Sequence, residues 1–139
     1  MRILTDTNII VSAILFPNSI VARVWNYIIE HHHVIISKYS IDELEAVFQR
    51  KFPDSVGILQ PFLASIACEV VDAEQPDIEI PPIRDKTDLP VLIAAIVADA
   101  DILLTGDKDF SDIPLDKPAI MTPSIFMKSK MLSLHHENN

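Results

Sequence analysis

Four acidic side chains stand where apolar stretches of the chain meet polar ones, at positions from which carboxylates can converge. They are Asp6, Glu43, Asp88 and Asp107. Carboxylates held close together repel one another, and a divalent cation between them removes that cost. Oxygen ligands favour hard ions such as Mg²⁺ or Mn²⁺. Such an ion makes a bound water more acidic and neutralises charge on a phosphoryl group, so these residues predict hydrolysis of a phosphoester.

Structural roles compete with this interpretation. Glu43 follows Ser40 by three residues, which is the spacing of a capping box and places Glu43 in the first turn of its helix. Asp88 has the type and position of an N-cap, with Pro90 tolerated in the first turn behind it. Asp6 is harder to explain in this way, because a charge between a buried strand and an apolar helix is costly unless something binds it.

The apolar pattern predicts that a three-layer α/β/α sandwich with a central parallel sheet of four to five strands positions these acids. In open parallel sheets the ligand lies beyond the carboxyl ends of the strands, so Asp6 and Asp107 are expected at the same edge. We predict strands at 3–6, 34–36, 70–71, 102–104 and 119–120. We predict helices over 9–16, 20–29, 41–48, 56–66 and 92–97, and a last helix from about residue 123. Ser19 is the expected N-cap of the second helix, and Pro61 is expected to interrupt the fourth near its start.

Length and composition fit one domain over residues 1–139, with a frayed tail at about 135–139. Of the 139 residues, 49% are hydrophobic, so the chain can bury a core and disorder is excluded. The single cysteine, Cys68, excludes an intramolecular disulfide and a cysteine-rich zinc site. No apolar run approaches the roughly 18 residues of a membrane span. The N-terminus, in which Asp6 soon follows Arg2, is a poor signal peptide, so we expect a cytoplasmic protein with no membrane partner.

The net charge of −9 weighs against broad electrostatic binding to nucleic acid, because phosphate-binding surfaces are usually rich in Lys and Arg. Such binding would depend on local cations, or on basic patches gathered by dimerisation. The candidate cations are Lys38, Arg50, Lys51, Lys108, Lys128 and Lys130. Arg50 and Lys51 also end a predicted helix, where they complement the helix dipole. Among aromatic residues that can stack on bases, Trp25 lies on an apolar helix stripe and is expected in the core, whereas Tyr27 and Tyr39 stay candidates.

Several segments, taken together and in order, resemble PIN-domain nucleases. DTNIIVSA at residues 6–13 is similar to the opening motif of that family. RDKTD at 84–88, followed by LIAAI at 92–96, is similar to its third acidic motif, and LTGDKDF at 104–110 to its fourth. MTPSIF at 121–126 resembles the ending of a subgroup that is similar to VapC toxins of toxin–antitoxin pairs. The resemblance extends over nearly the whole chain.

The resemblance implies a metal-dependent ribonuclease that cleaves RNA with Mg²⁺ or Mn²⁺. By matching position, Asp6, Glu43, Asp88 and Asp107 are its catalytic acids, and Asp6, Asp88 and Asp107 are its metal ligands. The supporting residues are Asn8, Asp85, Thr105 and Asp109. Asp107 and Asp109 are hard to tell apart in this assignment, and both can also belong to a plain acidic turn. The family further implies a homodimer or higher homo-oligomer, and an antitoxin protein that blocks the site.

Two other classes of function stay open from the sequence. One is a non-catalytic acidic binding module, whose carboxylates serve only as helix caps and solubilising charge. The other is a receiver-like Mg²⁺-binding signalling domain, which needs a phosphorylatable Asp at the end of a central strand. No Asp follows the predicted strand 34–36, which counts against the receiver. Titration with Mn²⁺ separates these classes, because a binding module has no site for the ion and a receiver accepts a small phosphodonor.

Overall fold

A five-stranded sheet, parallel throughout, forms the centre of the described part of the molecule. The computed structural model describes residues 1–72, 89–106 and 116–129. The strands are β1 (Arg2–Thr5), β2 (His33–Ser37), β3 (Cys68–Val71), β4 (Ile102–Leu104) and β5 (Ala119–Met121). Their spatial order is β3-β2-β1-β4-β5, and every neighbouring pair is parallel. The predicted parallel sheet is confirmed, and β1 lies in its middle.

Helices connect the strands. They are α1 (Thr7–Leu15), α2 (Ile20–His31), α3 (Lys38–Lys51), α4 (Val56–Ala64), α5 (Leu89–Val97) and α6 (123–129). Three of them, α1, α3 and α5, begin two or three residues before the starts that the apolar pattern predicts. The prediction that Pro61 interrupts the fourth helix near its start is wrong, because α4 continues through it to Ala64. A proline removes one backbone donor, and the packing of Leu59 and Phe62 against the core holds α4 in place.

Apolar side chains cover both faces of the sheet, which completes the three predicted layers. Successive side chains of a strand point to opposite faces. In β1, Ile3 accordingly joins the core beneath α1 to α4 and α6, while Leu4 joins the core beneath α5. Trp25 is buried, and its ring stacks on that of Phe62 at a centroid distance of 6.0 Å. The prediction that Trp25 belongs to the core is confirmed.

Polar side chains cap the helices that follow strands or bends. Ser19 caps α2 as predicted, and its Oγ accepts a hydrogen bond from the N–H of Ala22 at 3.1 Å. The first strand ends at Thr5 rather than at Asp6, which is the N-cap of α1. Ser37 is both the last residue of β2 and the N-cap of α3. These junctions start α1 and α3 at the carboxyl ends of neighbouring strands.

The opposite, amino edge of the sheet is held by polar contacts around Arg2. Its guanidinium donates to the carbonyl oxygen of Ala98 at 2.8 and 3.1 Å, and to the carboxylate of Glu69 at 2.7 Å. The N–H of Arg2 donates to Asp101 at 2.8 Å, and Nζ of Lys117 lies 3.5 Å from the same carboxylate. These contacts tie β1 to β3 and to the end of α5.

No single helix in the described ranges is long and apolar enough to cross a membrane. The helices α1 and α2 satisfy that test only as a pair, and the chain bends by 108° between them. Both contribute buried residues to the core, Ile10 from α1 and Trp25 from α2 among them.

Candidate active site

The strand order creates a topological switch point between β1 and β4. From β1 the chain moves outward to β2 and β3, and it then returns to the other side of β1 to form β4 and β5. Open parallel sheets bind ligands beyond the carboxyl ends of the strands at such a point. Asp6 directly follows β1, and Thr105 directly follows β4. Two residues singled out from the sequence therefore lie together where the fold favours a site.

Asp6 is a buried carboxylate whose two oxygens are held in place. The residue is 6% exposed. Its Oδ1 accepts a hydrogen bond from the N–H of Thr7 at 2.7 Å, and its Oδ2 accepts one from the hydroxyl of Thr105 at 2.9 Å. Each carboxylate oxygen has two lone pairs, so Asp6 can ligate a cation while it accepts these bonds.

Two more buried hydroxyl groups flank Asp6. Thr5 and Thr7 are 0% and 1% exposed, and within the described part of the chain their Oγ1 atoms have no hydrogen-bond partner. A buried hydroxyl without a partner costs about 1–3 kcal/mol, so each of these two groups is expected to have a polar partner outside the described residues. Asn8, the second residue of α1, is exposed beside them. This donor set consists of oxygen atoms, which fits Mg²⁺ or Mn²⁺ rather than a softer metal.

Glu43 does not cap α3, so the capping interpretation of this residue is wrong. The N-cap is Ser37, whose Oγ accepts a hydrogen bond from the N–H of Ser40 at 3.0 Å. Glu43 consequently lies in the second turn of α3 and not in the first. The apolar pattern begins only at Ile41, and Ser37 is itself buried at the end of β2, which is why the sequence hides the cap. Glu43 is half-buried on a helix that contacts α1, and its role at the site stays a prediction.

Several predicted residues lie outside the residues that the structure describes, and their roles stay predictions. They are Asp85, Asp88, Asp107, Lys108, Asp109 and Lys130. The helix α5 begins at Leu89, the residue after Asp88 in sequence, and α5 contacts α3. Within residues 1–72, 89–106 and 116–129, no three or more His, Cys, Asp or Glu side chains are grouped closely enough to hold a metal ion. A site with three such ligands that includes Asp6 therefore has to take at least one of them from outside these ranges.

The length of α3 separates the cations that were candidates for binding nucleic acid. Lys38 is the first residue of α3, at the carboxyl edge of the sheet, whereas Arg50 and Lys51 lie in the last turn. At a rise of 1.5 Å per residue, Lys51 is about 20 Å from Lys38 along the helix. Arg50 and Lys51 are exposed there and complement the helix dipole. Of these three cations, Lys38 is the one at the carboxyl edge of the sheet, where Asp6 also lies.

Asp72 also lies at this edge, although the sequence predicts no site role for it. It directly follows β3, as Asp6 follows β1. Its Oδ2 lies 3.9 Å from Nζ of Lys38. The signal that identifies Asp6, a carboxylate immediately after a short apolar strand, identifies Asp72 as well.

Comparison with known proteins gives one family and one fold. A family model described as the PIN domain matches residues 2–109, a range that contains all four predicted catalytic acids. No curated protein matches the chain in sequence. Among solved structures, the crystal structure of VapBC2 from Rickettsia felis, bound to a DNA fragment from their promoter, contains a chain of similar fold. The TM-score is 0.65 at 22% sequence identity, with 88% of this chain and 98% of that chain covered.

Proposed function

The chain belongs to the PIN domain family, and we propose that it is a metal-dependent endoribonuclease that hydrolyses RNA phosphodiester bonds with a metal-activated water. The observation that carries the proposal is the buried carboxylate of Asp6 at the switch point of the sheet, held by Thr105 at 2.9 Å. A charge in this position is costly unless something binds it. The family and the place of Asp6 in the fold thus support the same activity.

Asp6, Asp88 and Asp107 are the proposed ligands of Mg²⁺ or Mn²⁺, and Glu43 binds or steers the attacking water. When bound, the ion supplies acidity to a water and neutralises charge on the phosphoryl group. Asp6 contributes a carboxylate of fixed orientation, because Thr105 and the first N–H of α1 hold its oxygens. The water displaces the 3′ oxygen in line, which leaves a 5′-phosphate and a 3′-hydroxyl. The supporting residues are Asn8, Asp85, Thr105 and Asp109.

We further propose that the protein is the toxin of a toxin–antitoxin pair. The Rickettsia felis structure of similar fold is of VapBC2 on promoter DNA, and MTPSIF at 121–126 resembles the ending of VapC-like toxins. The proposed partners are an antitoxin protein that blocks the site and a second copy of the chain in a homodimer or higher homo-oligomer. Assembly can gather basic patches that a chain of net charge −9 lacks. The cytoplasm, where both RNA and antitoxin are available, is the proposed location.

The nuclease proposal is tested with defined RNAs, with and without Mn²⁺, on the parent and on Asp6→Asn. Asparagine keeps the shape and the N-cap function but removes the charge. We expect activity to fall at least about 100-fold, beyond the roughly 10- to 100-fold that is typical of losing a residue that only supports a metal ligand. Asp101→Asn, which changes an acid at the amino edge, is the matched control and should cleave like the parent. Equal cleavage by Asp6→Asn and the parent would refute the assignment.

Isothermal titration with Mn²⁺ separates the nuclease from the other classes of function. A nuclease should bind the ion, and Asp6→Asn should weaken that binding. Absence of any Mn²⁺ site would favour a non-catalytic binding module, and transfer from a small phosphodonor to the protein would favour a receiver. For the toxin role, the expected result is growth arrest on expression, which the product of a small adjacent reading frame relieves. Arrest that persists beside that product would contradict the pairing.

A further inference from the structure

A pocket opens at the amino edge of the sheet, between α6, the end of α2 and the first residues of β4 and β5. Ile102 and Ala119, which begin these two strands, lie opposite each other in the sheet register and line the pocket together. Met121 of β5 and Phe126 of α6 add apolar surface. The cavity has a volume of about 340 Å³, which lies within the range of sites for small organic ligands. A ligand bound here, at the end of the sheet away from Asp6, leaves the candidate active site open.

Two aromatic rings in the lining of this pocket are perpendicular to each other. The imidazole of His32, the C-cap residue of α2, has its centroid 6.2 Å from that of Phe126, and the ring planes are inclined at 85°. Aromatic rings favour edge-to-face and offset-stacked contacts. A flat ring that stacks on one of these two side chains is perpendicular to the other, so both contacts have a favoured geometry. The sulfur of Met121 also makes favourable contacts with aromatic rings. This lining therefore suits a planar aromatic ligand.

Asp101 supplies a carboxylate to the same pocket. It directly precedes β4, and its side chain is 38% exposed. The N–H of Arg2 donates to its Oδ2 at 2.8 Å and lowers its pKa, and the charge of Lys117 lowers that pKa further. The group is therefore ionised at neutral pH and can only accept hydrogen bonds. A carboxylate has about four acceptor positions, so Asp101 can also accept from a ligand that brings N–H donors.

The charges around Asp101 disfavour an anionic ligand. Asp99 lies two residues earlier in the chain, and the two carboxylates share the ammonium group of Lys117. Its Nζ is 3.0 Å from Oδ1 of Asp99 and 3.5 Å from Oδ1 of Asp101. These three groups together carry a negative charge, and the whole chain has a net charge of −9. A phosphate or carboxylate group on a ligand would be repelled here, whereas a neutral or cationic ligand would not.

We propose that this pocket is a binding site for a planar aromatic molecule that carries N–H donors and no negative charge. Its ring contacts His32 and Phe126, and its donors bind the carboxylate of Asp101. Free nucleobases and aromatic amines share this chemistry, and the experiment distinguishes them. The site is separate from the proposed ribonuclease activity, so it can be tested without RNA and without a metal ion.

The test is a titration of the ¹⁵N-labelled full chain with three probes, followed by the amide resonances of Ile102 and Ala119. The probes are tryptamine, adenine and indole-3-propionate. We expect saturable shifts with tryptamine, adenine or both, at a roughly millimolar Kd, the value typical of ligands of about ten non-hydrogen atoms. Indole-3-propionate has the ring of tryptamine but a negative chain end, and it should bind at least about tenfold more weakly, because a charge-assisted hydrogen bond is replaced by repulsion.

Each pattern of binding has one meaning. Saturation by adenine alone assigns the site to nucleobases, and saturation by tryptamine alone assigns it to aromatic amines. Saturation by both supports the shared chemistry. Binding of neither probe, or binding of indole-3-propionate as tightly as tryptamine, would overturn the proposal.

Charge variants test the contact with Asp101. Asp101→Asn should weaken the binding of tryptamine by about three- to tenfold, less than a fully buried charged hydrogen bond would give, because the carboxylate is partly exposed. Asp99→Asn is the matched control. It removes the same charge from beside Lys117 but changes a residue outside the pocket lining, and it should leave the Kd within about twofold. Equal losses in the two variants would refute the contact with Asp101.

A filling variant tests the place of binding. Ala119→Leu puts a larger side chain into the pocket and should remove measurable binding of both tryptamine and adenine. The cavity can take up the added methyl groups, so the urea midpoint should change little, which separates blocked binding from loss of the fold. Ala64→Leu makes the same exchange at the exposed end of α4 and should bind like the parent. Normal binding by a folded Ala119→Leu would show that the ligand lies elsewhere.

Discussion

The hydroxyl of Thr105 donates a hydrogen bond to the buried carboxylate of Asp6 at 2.9 Å, across the gap where β4 and β1 end. The sheet fixes the backbone of both residues. The N–H of Asp6 donates to the carbonyl oxygen of Leu104 at 3.0 Å, and the N–H of Thr105 donates to that of Met121, also at 3.0 Å. The carboxylate is thus oriented by a neighbour that cannot move independently of the strands. We therefore predict that Thr105 acts as a positioning residue for Asp6.

Thr105→Val replaces the hydroxyl with a methyl group of similar size and removes the donor to Asp6. We expect Mn²⁺ affinity to fall by about 10- to 100-fold, the usual effect of losing a group that orients a metal ligand. Isothermal titration measures the affinity, and activity should recover when the Mn²⁺ concentration is raised. Thr105→Ser keeps the hydroxyl and should behave like the parent. If the valine variant bound Mn²⁺ normally, the bond to Asp6 would have no role in metal binding.

Ser37→Ala and Glu43→Gln should separate stability from activity. Ser37 caps α3, so its loss should lower the free energy of unfolding by about 1 kcal/mol. Glu43 has no capping role in the structure, and Glu43→Gln should change stability by less than about 0.5 kcal/mol while it lowers kcat strongly. Urea unfolding and cleavage rates give the two numbers for each variant. A marked loss of stability in Glu43→Gln without loss of kcat would leave Glu43 with a structural role only.

Arg2→Ala should destabilise the domain without touching the site. The guanidinium donates to the carbonyl oxygen of Ala98 and to Glu69, and its side chain is 37% exposed. We expect a loss of about 1–2 kcal/mol, reduced from the full value of charged hydrogen bonds by solvent screening. Urea unfolding measures it, and Glu69→Gln, which removes the ion pair but keeps the Ala98 contacts, should cost less. Equal losses in the two variants would assign the effect to the ion pair instead.

Acid stability should depend on Asp101. The N–H of Arg2 donates to its carboxylate and lowers its pKa, and the charge of Lys117 lowers it further. A carboxyl group whose pKa is lower in the folded protein than in the unfolded chain stabilises the fold when the pH is above the unfolded pKa. That stabilisation is lost as the pH falls through the pKa of the folded protein. At pH values below about 4, we therefore expect the urea concentration at the unfolding midpoint to decrease more steeply with falling pH for the parent than for Asp101→Asn. Parallel curves for the two proteins would contradict this assignment.

The parallel sheet could be predicted because strands that are buried on both faces consist of short, continuous runs of apolar residues. Such runs can be seen in the sequence without any knowledge of tertiary contacts. The strand β4 was predicted with the observed bounds, since Ile102, Leu103 and Leu104 are all buried. Helix starts were less accurate, because the first turn of α1 and of α3 is polar and precedes the apolar periodicity. The strand order, and with it the switch point between β1 and β4, depends on contacts between segments far apart in sequence. Periodicity contains no information on such contacts.

The candidate site, like the fold, could be predicted only in part from the sequence. Asp6 could be identified because a charge between an apolar strand and an apolar helix is unusual in any fold. The N-cap of α3 could not be identified from the sequence. Ser37 and Ser40 are the same residue type, and only the backbone conformation decides which of them precedes the first turn. The separation of Lys38 from Arg50 and Lys51 follows from the direction of α3, which the sequence predicts only once the sheet is known to be parallel.

The direct junctions after β1 and β2 make spacing as important as residue type at this edge. One residue, Asp6, separates β1 from α1, and none separates β2 from α3. A single inserted residue would rotate either helix by about 100° about its axis and turn its apolar stripe away from the sheet. The chain can therefore accept changes of length elsewhere far more readily than here. We therefore expect relatives of this fold to differ at these two corners by exchange of side chains and not by a change of length.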